Sequence, residues 1–417
     1  MSQFIINGGQ RLTGVIKPSG SKNAVLPILA ATILVKNECI ITNVPDIQDV
    51  KTMLSILESI GAQTHFANNT IHIRTENIHN KAIRSELVPK MRASILFLGP
   101  LIAKFGEANI TFPGGCVLGK RAIDTHLEAF KQLGINIIDS NDQISIKCRK
   151  INNALVVMPE MSVTATENII TASVLCNGKV EIHLSACEPH VVDLCNFLNA
   201  MGAKISGIGT HTLTIDGVNQ LLGGKYQVKS DYLEVGTLTI ASVITKGEVT
   251  IENANPEDLE MFFYKLWKIG ANFNIEGSQI KIFPNKHLVS PGIIKTAVHP
   301  GFPTDLQAPF AVALTQCKGE STIFETLFEG RLGYLSELEE MGAKIQTLNP
   351  HQAKIFGPTN LKGLPIISHD IRAGAAMVLA GLIAEGETQI SNINYIERGY
   401  ENLDEKLRML GARIKKT

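Results

Sequence analysis

Apolar residues recur at helical spacing six times along the chain, and each run ends in the same way. In the third run Leu194, Phe197, Leu198 and Met201 stand at i, i+3, i+4 and i+7, which is one face of a helix. The six runs read LSILESIGA, LEAFKQLGI, CNFLNAMGA, FFYKLWKIGA, LSELEEMGA and DEKLRMLGA. Their glycines are Gly61, Gly134, Gly202, Gly270, Gly342 and Gly411, separated by 73, 68, 68, 72 and 69 residues. A period near 70 residues that fills the whole chain marks one unit duplicated, so the fold is read from the unit. Each glycine is expected to take the left-handed conformation that stops a helix and turns the chain.

Ahead of each run lies a segment with a different pattern, at 23–34, 91–105, 163–175, 232–245, 304–316 and 371–384. These segments are Ala-rich and apolar nearly all round, which predicts helices buried on every side. The stretch at 372–384 is too short and too rich in small residues to span a membrane. Strand-like runs such as ECIITNV and KVEIHL separate the two helices, and another, such as AKIQTL, follows the second. Each repeat should therefore hold a central helix, an outer helix and several strands, in an α/β fold.

The repeat arithmetic predicts two domains. Residues 22–229 make 208 residues, about three repeats; residues 230–417 make 188, and adding residues 1–21 raises this to 209. The simplest division is 22–229 against 1–21 with 230–417, so the chain crosses between domains twice. Gly, Pro, Ser and Asp at 18–21 and 229–231 suit hinges. A cleft between two domains is a common ligand site and is the expected place for an active site.

Composition narrows the class. A formal net charge of zero over 417 residues and the lack of a long basic run argue against nucleic-acid or membrane-surface partners. Seven cysteines without a C-x-x-C argue against a disulfide framework or a structural zinc site, and no metal-ligand spacing is present, so no cofactor is expected. The opening MSQFIINGGQ lacks the apolar core of a signal peptide, and a cytoplasmic protein is expected.

Chemistry concentrates in loops. FPGGCVLGKR at 112–121 is glycine-rich and hostile to helix, and Lys120 and Arg121 would favour the thiolate of Cys116. Composition alone leaves this loop either a reactive site or a surface turn with an incidental cysteine. Lys22, Arg92 and Arg372 stand at the starts of central helices, and Arg398 in the loop before the last outer helix. Cations are disfavoured at helix N-termini unless an anion binds there, so their recurrence points to a multiply clamped anion. Asp305, in HPGFPTD, and Asp231 fall where N-caps belong; a capping role and, for a carboxylate facing a hydroxyl, a general-base role both fit.

The chain resembles the UDP-N-acetylglucosamine enolpyruvyl transferases from end to end. The likeness rests on SGSKNAVLP at 19–27, MRAS at 91–94, PGGCVLGKR at 113–121 with Asp124 and His126, SVTAT at 162–166, HPGFPTDLQA at 299–308, DIRA at 370–373 and ERGYE at 397–401. It implies a two-domain α/β fold, an inverse barrel in which each domain has three βαβαββ repeats around buried helices. It also implies transfer of the enolpyruvyl group of phosphoenolpyruvate to the 3′-hydroxyl of UDP-N-acetylglucosamine, with loss of phosphate, at the start of peptidoglycan precursor synthesis. By the same resemblance Lys22, Arg121 and Arg398 form the phosphoenolpyruvate clamp, with Arg92 and Arg372 nearby. Cys116 is the loop acid and Asp305 the base. Asn23 holds the sugar, Asp124, His126, Ser162 and Leu327 the uridine diphosphate side, and Glu329, Arg331 and Asp370 support the anion site. Asp231 joins them at the second crossing. The sequence departs from the family pattern at Ala122, Glu160, Gly330, Cys187 with His190, and 230–234. These departures lie toward the nucleotide or hinge, so a divergent paralogue with another nucleotide-sugar acceptor is the runner-up. A silent six-repeat scaffold is the alternative from a different class.

Overall fold

The structure, a computed structural model, describes residues 2–80, 91–111, 123–140 and 143–417. Within them the apolar segments form six central helices. These are Lys22–Ala31 continued by the 3-10 turn Thr32–Leu34, Leu98–Phe105 preceded by the 3-10 turn Arg92–Phe97, and Val163–Ser173. The remaining three are Tyr232–Ile244, Gln307–Thr315 preceded by the 3-10 turn Thr304–Leu306, and Ile371–Ile383. Every residue of Tyr232–Ile244 is buried, as a helix without a polar face requires.

The amphipathic runs form the outer helices Gln48–Ser59, Asp124–Gln132, Pro189–Ala200, Glu260–Lys268, Leu335–Glu340 and Leu403–Met409. In the third, Leu194, Phe197, Leu198 and Met201 are all buried. All six terminal glycines have positive φ, between 76° and 112°. After each glycine the next N–H bonds the carbonyl five positions back: Ala62 to Leu57, Ile135 to Phe130, Ala203 to Leu198, Ala271 to Leu266, Ala343 to Leu338 and Ala412 to Leu407. This recurring closure satisfies a carbonyl the helix end leaves open and aims the chain into the next strand.

The sheets repeat one plan. In the third repeat Asn152–Val157 runs parallel to Asn177–His183, with the central helix as the crossover that a parallel pair needs. Thr212–Asp216 and then Lys204–Ser206 extend that sheet antiparallel. The fifth sheet has the same order: Ile293–Lys295, Gly319–Phe324, Gln352–Gly357, Lys344–Asn349. Strands distant in sequence complete several of the sheets: Thr13–Ile16, for one, pairs parallel with Glu248–Ile251. Lys225–Gln227 pairs parallel with Cys39–Thr42, and Gln3–Asn7 lies between Glu387–Ser391 and Arg413–Lys416.

The described residues fall into two compact units, one running from Gly20 to Lys229, the other up to Ser19 and from Ser230 onward. Each has its own apolar core. In the first, helix Leu98–Phe105 packs on helix Val163–Ser173 so closely that a Cβ at Gly99 would lie 2.4 Å from the Asn168 carbonyl oxygen. Asn168 bridges the two helices, accepting from Gly99 N–H at 2.8 Å and donating to the Ile95 carbonyl at 3.1 Å. No helix among the described residues is long and apolar enough to cross a membrane.

Candidate active site

Charged side chains gather at the N-terminal ends of central helices in both units. In the second unit the centre is Asp305. Of the two roles open to it, capping the fifth central helix is not the one its side chain takes. Asp305 lies inside the turn Thr304–Leu306, and its oxygens go to side chains instead of helix amides. Oδ1 accepts from Arg331 Nη2 at 2.5 Å and Oδ2 from Arg372 Nε at 3.1 Å. Charge-assisted bonds to a guanidinium are about twice as strong as neutral ones, which explains why the carboxylate turns to the arginines. Burial alone would raise its pKa. The two guanidiniums outweigh burial and hold the carboxyl well below the usual carboxylate range.

Arg331 and Arg372 are themselves buried. Arg331 lies 5.3 Å over the Phe328 ring and Arg372 5.1 Å over the Tyr400 ring. Burial opposes the charge of Arg372, but Tyr400, Asp305 and Asp231 together hold it firmly protonated. Its Nη1 is buried without a hydrogen-bond partner among the described residues, a donor available to an anion. Gly399 permits this packing, since a Cβ there would lie 2.2 Å from Ile371 Cγ2.

Two expected site residues turn out to be caps. Asp231 accepts from Leu233 and Glu234 N–H groups, and Asp370 from Arg372 and Ala373 N–H groups. Asp370 thereby fixes the backbone from which the Arg372 guanidinium springs. Leu327 and Glu329 are exposed in the segment between strand Gly319–Phe324 and helix Leu335–Glu340. Arg398 follows the short helix Asn394–Glu397 and is half-buried.

In the first unit Lys22 opens its helix beneath the Ser21 cap, with its amine buried against Asp49 Oδ2 at 2.6 Å. Asp49, in the first turn of the outer helix Gln48–Ser59, is a partner that sequence reading missed; nothing in the local pattern marks it. Asn23 and Arg92 are half-buried at the starts of the first two central segments. Asp124 is exposed and lines a shallow open depression with Thr125, Lys131 and Pro159, where Thr125 donates to Glu160 at 2.8 Å. Ser162 immediately precedes helix Val163–Ser173. Cys116, Lys120 and Arg121 lie outside the described residues.

His126 is different. It is 2% exposed, with Asn168 Nδ2 3.1 Å from its Nδ1 and Thr164 Oγ1 3.0 Å from its Nε2. Its ring nitrogens are engaged inside the unit, in the Asn168 bridge between central helices.

The match to known proteins follows this architecture. Residues 6–407 match the family described as EPSP synthase (3-phosphoshikimate 1-carboxyvinyltransferase), and the chain belongs to that family of enolpyruvyl transferases. Its relatives include the UDP-N-acetylglucosamine 1-carboxyvinyltransferases of Desulfosudis oleivorans, 41% identical over 100% of this chain and 99% of the relative, and of Methylacidiphilum infernorum, 43% identical over 99% and 98%. Among solved structures, the enolpyruvyl transferase NikO from Streptomyces tendae is similar in fold, with a TM-score of 0.89 at 22% identity over 100% of this chain and 99% of that one. An EPSP synthase from Acinetobacter baumannii shares the fold at a TM-score of 0.76 and 18% identity, over 100% of both chains.

The His126 environment yields a pH prediction. Burial, and secondarily Arg92, push its pKa down from 6.5 to about 3. A depressed histidine means the unfolded chain takes up the proton first. The stability His126 contributes is therefore complete above its unfolded value and lost as pH falls toward the folded one. The slope is at most about 1.4 kcal/mol per pH unit. Denaturant unfolding of the wild type and of His126→Asn at several pH values between about 7 and 5 should show their stability gap narrowing as pH falls. A gap independent of pH would mean that His126 does not titrate on unfolding.

Proposed function

We propose that this chain transfers the enolpyruvyl group of phosphoenolpyruvate to the 3′-hydroxyl of UDP-N-acetylglucosamine in the cytoplasm, the committing step toward peptidoglycan. The observation that carries this reading is Asp305 paired with two buried arginines, in a chain whose full-length relatives bear that enzyme's name. The donor is polyanionic, and Lys22, Arg92, Arg121, Arg331, Arg372 and Arg398 supply the cations. They come from both units.

In the first step Cys116 delivers a proton to the donor's methylene carbon, leaving oxocarbenium character on the adjacent carbon. The sugar hydroxyl attacks that carbon while Asp305 accepts its proton, giving a tetrahedral ketal. A methyl proton then returns to the Cys116 thiolate as phosphate departs, which restores the double bond on the new ether. Asp305 is a weak base while both guanidiniums hold its charge. An arriving phosphate or carboxylate that draws on the same guanidiniums returns basicity to Asp305 as the donor binds. Thr125 donates to Glu160 beside Asp124, and in this reading, where Asp124 serves the nucleotide, that adds a second carboxylate next to it. That feature favours testing a panel of acceptor sugars alongside the expected one.

Mixing the protein with phosphoenolpyruvate and UDP-N-acetylglucosamine should release inorganic phosphate. Asp305→Ala should lower turnover roughly 100- to 10,000-fold while nucleotide-sugar affinity, read by calorimetry, changes little. Phosphate release at wild-type rate by this variant would remove Asp305 from the base role; release with a different sugar only would move the acceptor.

A second prediction concerns thiol reactivity. Burial raises the pKa of Cys39 and Cys187 to about 11 and of Cys195 and Cys317 to about 12, and it also raises Cys176. These thiols resist alkylation, because the thiolate is the nucleophile. An epoxide phosphonate such as fosfomycin should therefore spare these five thiols and stop turnover by adding at Cys116, with the half-buried Cys148 as the control thiol in peptide mapping. Peptide mapping that finds the adduct elsewhere, with activity lost, would refute this assignment.

A further inference from the structure

Glu325 follows strand Gly319–Phe324 and is fully buried. Among the described residues it forms no ion pair, which makes it an unusual charge to keep inside a unit. Four donors converge on its carboxylate instead. Oε1 accepts from Thr296 Oγ1 at 3.0 Å, Leu327 N–H at 2.9 Å and Phe328 N–H at 3.2 Å; Oε2 accepts from Thr304 Oγ1 at 2.7 Å. Its own backbone is held from the other side, donating to the His351 carbonyl and accepting from His351 Nδ1.

The two ends of this network lead to the two partners in the charged cluster. Thr304 is the residue before Asp305. Leu327 and Phe328 open the segment that leads to Arg331, whose guanidinium rests over the Phe328 ring and pairs with Asp305. A single carboxylate thus ties the backbone that presents the base to the backbone that presents its cation. Thr296 reinforces the second tie, since its hydroxyl accepts from Thr326 N–H at 2.9 Å and its carbonyl accepts from Thr326 Oγ1 at 2.7 Å.

We propose that Glu325 is a positioning residue for enolpyruvyl transfer, setting the separation of Asp305 and Arg331 through Thr304 on one side and the Leu327 and Phe328 amides on the other. This rests on the catalytic reading of Asp305 given above. The carboxylate's rigidity is the physical reason. Oε1 takes three donors and Oε2 takes the Thr304 hydroxyl, so neither the Thr304 segment nor the Leu327 segment moves without breaking bonds to a buried carboxylate, where unmade bonds are costly. Displacements near 1 Å at a reacting group cost on the order of 100-fold in rate.

The test uses the whole chain with three variants. Thr304→Val removes the single tie on the Asp305 side and leaves the other three donors in place. Glu325→Ala removes all four bonds, and Glu325→Gln keeps an oxygen for the amides while Thr304 reverses its hydroxyl. Thr304→Val should lower kcat about 10- to 100-fold with both KM values nearly unchanged. Glu325→Gln should retain most activity, and Glu325→Ala, if folded, should fall below Thr304→Val. A second readout needs no turnover. Carbon-13 NMR of the Asp305 carboxyl, assigned with Asp305→Asn, should show it titrating at higher pH in Thr304→Val than in the wild type, because its pairing with Arg331 has loosened. Wild-type kcat together with an unshifted Asp305 titration in Thr304→Val would overturn the proposal. Absence of phosphate release from the wild type itself would instead overturn the functional reading, and the NMR shift would still decide whether Glu325 sets the pair.

Discussion

Six helices with no polar face must be covered on every side, and that constraint organises everything else in the protein. A helix such as Tyr232–Ile244 is stable in water only when sheets and sibling helices enclose it. The larger sheets, five of four strands and one of three among the described residues, and the amphipathic outer helices supply that cover. Cover on all sides leaves only the helix ends for chemistry. The end residues are accordingly the polar ones: Ser21 and Lys22, Arg92, Ser162, Asp231, Thr304 and Asp305, Asp370 and Arg372.

At those ends the protein buries charge in pairs. Lys22 meets Asp49, Lys406 meets Glu234, and Asp305 meets Arg331 and Arg372. Buried pairs are poor investments for stability, because desolvation consumes most of the attraction. Here they hold cations and carboxylates in fixed, largely buried positions, Asp305 being the most exposed of them, which is what electrostatic catalysis requires. The low pKa of Asp305 follows from that arrangement.

Glu325 and His126 show a quieter form of the same principle. Among the described residues neither forms an ion pair, and each is held by hydrogen bonds that knit neighbouring segments together. His126 resembles a ligand residue by its place in a motif, yet its ring nitrogens serve the join between central helices. Glu325 stands in no motif singled out from the sequence, yet it holds the Asp305 and Arg331 segments in register.

Periodicity alone determined the repeat, its six copies, the two kinds of helix and the glycine that ends each outer one. Those features depend on side chains a few residues apart, so spacing in the chain reports them directly. The motifs around Lys22, Asp305, Arg372 and Arg398 likewise marked the charged helix ends. What only the tertiary structure decided is which charges meet. Asp305 could be placed as a cap from its position before an apolar helix, but its true partners stand 26 and 67 residues away. Asp49 beneath Lys22, Tyr400 beneath Arg372, and the four donors on Glu325 are joined in the same way, by packing between elements distant in sequence. A local pattern carries no information about such pairs, because their energy comes from burial that exists only after the helices and sheets have closed around them.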